Sequence, residues 1–295
     1  MAISFDNLKE RVLLRTFEGL SAVDDQWTKI FKIHRLDAAG LRIASMEGIG
    51  DLQTWNGTDA ITTAAVDAMG TKDIDYVCKA IQVTVPFLTE KDVPGIVDDA
   101  SRKIGVSVAS TQAAQAYTAM NQAFGSLTTA DGKALYAADH TTNGVATRSN
   151  VGTAALSTVA VLAAAQSLNE WISFNQQKFP QAMNGEKLYL CVPPSLYATA
   201  VQIAQSQFTS DQLQVNAARG LNLEVIQSPH LTGNEWHLVV DPMINGGPFV
   251  AFDRMPLEVV TTRDQDTKTL KITATYAMGV SAHPDPTGAF GGLVA

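Results

Sequence analysis

The chain has 295 residues, room for one large domain or two modest ones. Apolar residues make up 46%, which excludes a disordered chain, while charged residues reach only 17% against about 25% in an average soluble domain. The net charge of −8 is spread evenly, with seven residues of each sign in 1–50 and seven basic against eleven acidic in both 51–150 and 151–295. No basic footprint for duplex nucleic acid and no polybasic membrane segment is present.

Ala (40 residues), Thr (28) and Gly (21) replace the missing charge. Such a surface fits either an Ala- and Thr-rich globular protein or a subunit whose outside is covered by copies of itself. Cys78 and Cys191 each stand alone in an alternating apolar stretch, which predicts buried thiols in strands, and no CxxC occurs. The N-terminus carries charges and lacks an apolar run, so no signal peptide is expected. The longest apolar stretch, near Val159–Ala165, is too short to span a bilayer. Synthesis in the cytoplasm is the corresponding expectation.

In chain order, Phe5, Leu8, Val12, Leu13 and Phe17 recur at helical spacing and predict an amphipathic helix over 4–20, with Ser4 as its cap. Its apolar face needs a partner, either its own domain or a neighbouring subunit. Residues 34–73 are rich in Gly and Thr. Leu41-Arg42-Ile43 and Leu52-Gln53-Thr54-Trp55 predict a two-stranded excursion with too few large apolar residues for a core of its own. It is a loose loop or an arm lying on another surface. Ile74–Phe87 reads as one strand whose alternation changes phase after Ala80, the mark of a bulge or strong twist. Thr89 is placed as a helix cap, and Val93–Phe124 predicts a helix of about 45 Å, bent at Gly105 and stopped by Gly125.

Residues 126–152 are rich in loop signals. The stretch 153–253 reads as an α/β lobe. It has a helix capped by Ser157, a strand at Leu188–Val192 stopped by Pro193-Pro194, and a helix over Ser195–Phe208. Further strands fall at Leu221–Val225, Trp236–Val240 and Phe249–Phe252. A hairpin over Pro256–Met278, turning at Asp264-Gln265-Asp266, closes the pattern before a Gly/Pro-rich tail.

The chemistry-bearing motifs are sparse. The five histidines make no HxH, HExxH or HxxxH pair, and no GxGxxG, GxxxxGK[ST] or GxSxG occurs. No cofactor or metal is expected. Asp139-His140 is the one acid/base candidate, but neighbours on an extended backbone point to opposite faces. The structural alternative is a hydrogen-bonded loop ordering the junction before residue 153. Asp98-Asp99 reads as a solvated first-turn face.

Several segments together resemble the major capsid (major head) proteins of tailed bacteriophages, especially the Mu-like head-subunit group. They are Gly132-Lys133-Ala134-Leu135-Tyr136 running to His140, the helix opening Ala155-Leu156-Ser157, the strand end Val192-Pro193-Pro194, and the exit Tyr276-Ala277-Met278-Gly279. Their order and spacing carry the likeness, which is weakest over residues 1–70. The resemblance implies an α+β tailed-phage major capsid fold. Its parts would be an N-terminal arm (1–33), an extended loop (34–73), a peripheral domain with a long spine helix (74–149 and 256–283) and an axial domain (150–255 and 284–295). It implies a non-enzymatic virion protein that assembles with itself as pentamers and hexamers into an icosahedral head around double-stranded DNA, without sequence-specific binding. A separate scaffolding protein, a portal and decoration proteins would be its other partners. Contacts between subunits are expected at Phe5, Leu8, Val12, Phe17, Leu41, Ile43, Leu52 and Trp55. Some relatives cross-link through a Lys–Asn bond, but no motif around Lys72 or Lys79 supports that here. A cellular nanocompartment shell of the same fold, and a cytosolic hydrolase using Asp139 and His140, are the alternatives.

Overall fold

The computed structural model describes residues 5–23, 26–46, 68–86, 95–142, 145–170, 186–206, 216–242 and 247–293. Helix α1 (Phe5–Ser21) leads through a short 3-10 turn at Gln26–Lys29 into strand β1 (Phe31–Arg35). The hairpin β2 (Leu41–Met46) and β3 (Ala68–Ile74) follows, then β4 (Val77–Pro86) and the 27-residue helix α2 (Ile96–Gln122), about 40 Å long. Short strands β5 (His140–Thr142), β6 (Val145–Arg148) and β7 (Val151–Gly152) precede helix α3 (Thr158–Glu170), β8 (Lys187–Val192) and helix α4 (Tyr197–Gln205). The chain ends with β9 (Asn222–Gln227), β10 (Trp236–Val240), β11 (Phe249–Asp264), β12 (Thr269–Ala282) and β13 (Ala289–Gly292).

These elements form two main sheets. One has the order β1-β11-β12-β4, with β1 parallel to β11 and the other pairs antiparallel. The other has the order β7-β13-β10-β8-β9. The first sheet packs on α2, where Val97, Ile104, Val108, Tyr117 and Met120 meet Leu270, Ile272, Ala274 and Tyr276 in one core. A second core joins α3 and α4 to Leu188, Leu190 and Val192 of β8 and to Trp236, Leu238 and Val240 of β10. The intervening residues Tyr189, Cys191 and Val239 face the first core. Because both faces of this sheet are covered, β8 and β10 are apolar at almost every position instead of alternating.

Helix α1 lies on α2 at very close range. A Cβ added to Gly105 would sit 2.0 Å from the Thr16 carbonyl oxygen, and one added to Gly19 would sit 2.1 Å from the Arg102 carbonyl oxygen. The two helices therefore touch backbone to backbone, which no larger residue permits at either position. Leu8 and Val12 are sealed in this contact, a burial worth roughly 1.5–3 kcal/mol each. The polar residues caught there bond to their own helices: the Thr16 hydroxyl donates to the Val12 carbonyl and the Ser101 hydroxyl to the Val97 carbonyl. Arg11 reaches across to Asp98 at 2.8 Å.

Several expectations need correction. Gly105, read as a possible bend, is the crossing point for α1. Of the strand expected over Ile74–Phe87, Val77–Pro86 is β4, whereas Ile74 ends β3 and Asp75-Tyr76 separate the two, because β3 pairs with β2 and β4 with β12. Cys78 is exposed, since β4 lies at the edge of its sheet, while Cys191 is buried as expected. Phe249–Phe252, expected in the α/β lobe, is the start of the 16-residue β11 and belongs to the first sheet. The register of β11 against β12 shifts on both sides of Met255, next to Pro256, which has no N–H for the ladder. Other elements match: α3 begins after Ser157, whose hydroxyl accepts from the Ala160 N–H. The turn between β11 and β12 is held by the Asp264 carboxylate, which accepts from the Asp266 and Thr267 N–H groups and from Lys271. Thr89 and Phe87 lie outside the described residues.

The close crossing makes a direct prediction. Gly105→Ala should destabilise the subunit by about 1–3 kcal/mol, seen as a lower urea midpoint, whereas Gly125→Ala, with no atom within 4 Å of the added carbon, should leave it within about 0.5 kcal/mol. Equal midpoints for the two variants would contradict the crossing.

Candidate functional site

The segment between α2 and β7 forms the seam between the two sheets. Asp131, in the turn after α2, accepts from the Thr129 hydroxyl at 2.5 Å and from the Lys133 N–H at 3.0 Å. His140 is buried beside it, with Nδ1 2.7 Å from Asp131 Oδ2 and Nε2 3.1 Å from the Leu135 carbonyl oxygen. Burial pushes the Asp131 carboxyl up, but the Thr129 hydroxyl, His140 and the Lys133 N–H together hold it below its ordinary value. Asp139 points elsewhere and pairs with Lys133. The adjacent Asp139 and His140 therefore do not form an acid/base pair. Both imidazole nitrogens are engaged inside the protein, and the arrangement is a strut that shapes the loop. Among the described residues no cluster of His, Cys, Asp and Glu has the makings of a metal site.

Asn150 closes the seam. Its side chain is fully buried, donates to the Leu135 and Ala289 carbonyls at 2.7 and 3.2 Å, and accepts from the Ala137 N–H at 2.9 Å. One amide thus ties the loop to β13. Nearby, the rings of Phe124, Tyr136 and His237 pack in tilted contact with centroids 4.8–5.5 Å apart. The Tyr136 hydroxyl lies 3.2 Å from His237 Nδ1. Gly291 lets β13 pass over these rings, as a Cβ there would come within 2.6 Å of Tyr136. Burial drives the His237 imidazole down to about pKa 3 and raises the Tyr136 phenol. Neither Asn150 nor His237 is marked by a local motif. The partners of Asn150 lie up to 139 positions away, so only the fold assembles them.

The residues expected at subunit contacts separate into groups. Leu8 and Val12 are inside the chain's own core instead, because α1 finds its partner in α2. Phe5 packs partly buried against the same core, whereas Phe17 (45% exposed) shares an outward face of α1 with Leu13 and Leu14. Leu41 and Ile43 pack partly on a small cluster of Ile74, Val250 and Phe252 that roots the β2–β3 hairpin. Leu52 and Trp55 lie outside the described residues. At the hairpin, Arg42 and Asp73 form an exposed two-pronged ion pair at 2.6 and 2.9 Å.

With this geometry in place, the fold can be set beside solved structures. It is similar to a capsid subunit of cyanophage P-SCSP1u (TM-score 0.60, 12% identity, covering 91% of this chain and 88% of that one). It is similar to the virus-like particle of Pyrococcus furiosus (TM-score 0.58, 9% identity, 96% and 98%) and to the capsid of Ralstonia phage GP4 (TM-score 0.58, 10% identity, 88% and 85%). The architecture is thus the α+β fold of viral shell subunits. The phage capsid protein family model matches residues 76–291, most of the chain, and the chain belongs to that family as a structural capsid protein. No curated protein matches the sequence at a significant level.

The seam should show in the pH dependence of folding. The unfolded chain takes up a proton at His237 below its ordinary pKa of 6.5, but the folded chain does so only near 3. Stability is therefore lost as pH falls through that window, by about 2 kcal/mol from this group at pH 5. Urea unfolding of His237→Phe should show a correspondingly flatter slope between pH 6.5 and 4. An unchanged slope would remove His237 from this role.

Proposed function

We propose that this chain is the major head protein of a tailed phage, assembling as pentamers and hexamers into a closed icosahedral shell around double-stranded DNA. The observation that carries the reading is the family match over residues 76–291, joined to a shared fold covering nearly all of each neighbouring chain. The charge pattern supports it: a wall with net charge −8 and no basic patch does not grip phosphates, so DNA is packed and released without being bound. In this reading residues 1–33 are the N-terminal arm and 34–73 the extended loop over a neighbour. Residues 74–149 with 256–283 are the peripheral domain, and 150–255 with 284–295 the axial domain. The exposed face of α1 with Leu13, Leu14 and Phe17 supports a subunit contact there, as does the hairpin rooted at Leu41 and Ile43. The order of the loop from Gly132 to His140, the Ala155-Leu156-Ser157 helix start and the Val192-Pro193-Pro194 strand end supports the Mu-like group within the family. The subunit works as a virion component, made in the host cytoplasm beside a separate scaffolding protein, a portal and decoration proteins, and its role is structural, not catalytic.

A second reading, a cellular nanocompartment shell, draws on the likeness to the Pyrococcus furiosus virus-like particle. Electron microscopy of the chain co-expressed with its scaffold should show closed icosahedral shells. A chain that stays monomeric under those conditions would refute the shell reading. Nuclease-protected DNA in particles from infected or induced cells marks a phage head, and a single co-purifying enzyme marks a nanocompartment.

A further inference from the structure

Residues 283–288 carry the chain from β12 in the first sheet to β13 in the second. Both ends of this linker are bonded. The His283 N–H donates to the Pro248 carbonyl, beside β11, at 2.8 Å, and the Gly288 carbonyl accepts from the Val240 N–H of β10 at 2.8 Å. In between, the Pro284 carbonyl accepts from the Ala130 N–H at 3.0 Å. Pro284 and Pro286 hold φ at about −65° at two positions, so the linker is short and stiff.

Two turns follow one another inside it. The Asp285 N–H donates to His283 Nδ1 at 3.1 Å, and the Thr287 N–H donates to Asp285 Oδ1 at 3.0 Å. In each, a side chain accepts from the backbone two residues on. The first turn needs a bare Nδ1, so it exists only while the imidazole is neutral. With a proton on Nδ1, two N–H groups would face each other. The Asp285 carbonyl oxygen, 3.4 Å from Nδ1, lies beyond the usual N–H···O range of about 2.7–3.2 Å.

The charged neighbours come from several elements. β1 brings Lys32 and His34 toward His283, and β6 brings Arg148 toward Asp285. β11 carries Asp253, which pairs with Arg35 at 3.5 Å, and the turn after α2 carries Asp131, which is engaged by His140. Burial is the main cause that holds the His283 imidazole below its ordinary 6.5; Lys32 and His34 add to it, and Asp285 opposes it. Burial raises the Asp285 carboxyl, against Thr287, His283 and Arg148.

We propose that His283 is a proton-operated latch between the two sheets: neutral, it closes the turn that fixes the linker, and protonated, it releases the Asp285 N–H and lets the linker open. The sign follows from the two forms. The opened imidazole takes up a proton near its ordinary 6.5, and the closed one only at lower pH, so acid favours the open form. One pH unit below 6.5, opening gains up to about tenfold over neutral pH. The latch belongs to the folded subunit, so its test does not depend on shell assembly.

Hydrogen exchange of the linker amides in the folded chain, read by mass spectrometry from about pH 7.5 to 5.5 and corrected for the intrinsic rate, tests the latch. Wild-type protection over residues 283–288 should fall by up to about tenfold across that range. His283→Asn supplies an acceptor as many bonds from the backbone as Nδ1 and takes up no proton there, so it should keep its protection. Lys32→Gln removes a cation and should move the loss to higher pH, whereas Asp285→Asn removes the anion and should move it to lower pH. A purely structural His283 would move neither. If His283→Asn does not fold, these two charge variants decide alone. The proposal is overturned by wild-type protection that stays flat, by an equal loss in His283→Asn, or by charge variants that leave the onset where the wild type has it.

Discussion

The seam between the two sheets is the constraint on which the rest of the molecule depends. β12 ends in one sheet and β13, six residues on, enters the other, so the two sheets are coupled through a short piece of chain. Beside it, Asn150 ties the seam loop to β13 with three hydrogen bonds from one buried amide, and the mutually tilted rings of Phe124, Tyr136 and His237 fill the space under Gly291. A buried amide whose partners are satisfied stabilises one arrangement, and the same group left unpaired costs about 1–3 kcal/mol. Pulling the seam loop away from β13 would break these bonds. For a subunit that meets copies of itself at repeated angles, a fixed relation between its two halves is a basic requirement.

The other half of the fold is governed by helix contact. The pair Gly19 and Gly105 brings α1 onto α2 so closely that their backbones touch. That contact commits Leu8 and Val12 to the interior and leaves Leu13, Leu14 and Phe17 outside. One amphipathic helix thus turns one face into the subunit's own core and another, apolar in part, outward. At β4, likewise, the inner edge completes a sheet while no described strand pairs with the outer edge.

The chemistry of the acidic and basic residues follows this structural role. His140 with Asp131 and Lys133 with Asp139 pair in a local pattern that shapes a loop. The exposed ion pair of Arg42 with Asp73 sits in high dielectric and contributes little to stability. Its geometry matters more for holding the hairpin's two strands in register.

Much of the fold was legible in the sequence because it is set by local periodicity. The apolar spacing of α1 and α2, the Ser157 cap, the Pro193-Pro194 stop and the alternation of β12 each depend on residues a few positions apart. The family likeness was legible for the same reason, as an order of short motifs. The sequence alone also determined the low charge and the absence of a catalytic motif. Tertiary structure alone decided the rest. Leu8 and Val12 turned inward because Gly105, 93 positions after Val12, admits the helix. Ile74 separated from the run that follows it because it ends a strand paired with β2, whereas Val77–Pro86 pairs with β12. Asn150 and His237 each became a structural anchor through a contact more than 100 positions away, to Ala289 and Tyr136, and such contacts leave no periodic trace in the chain.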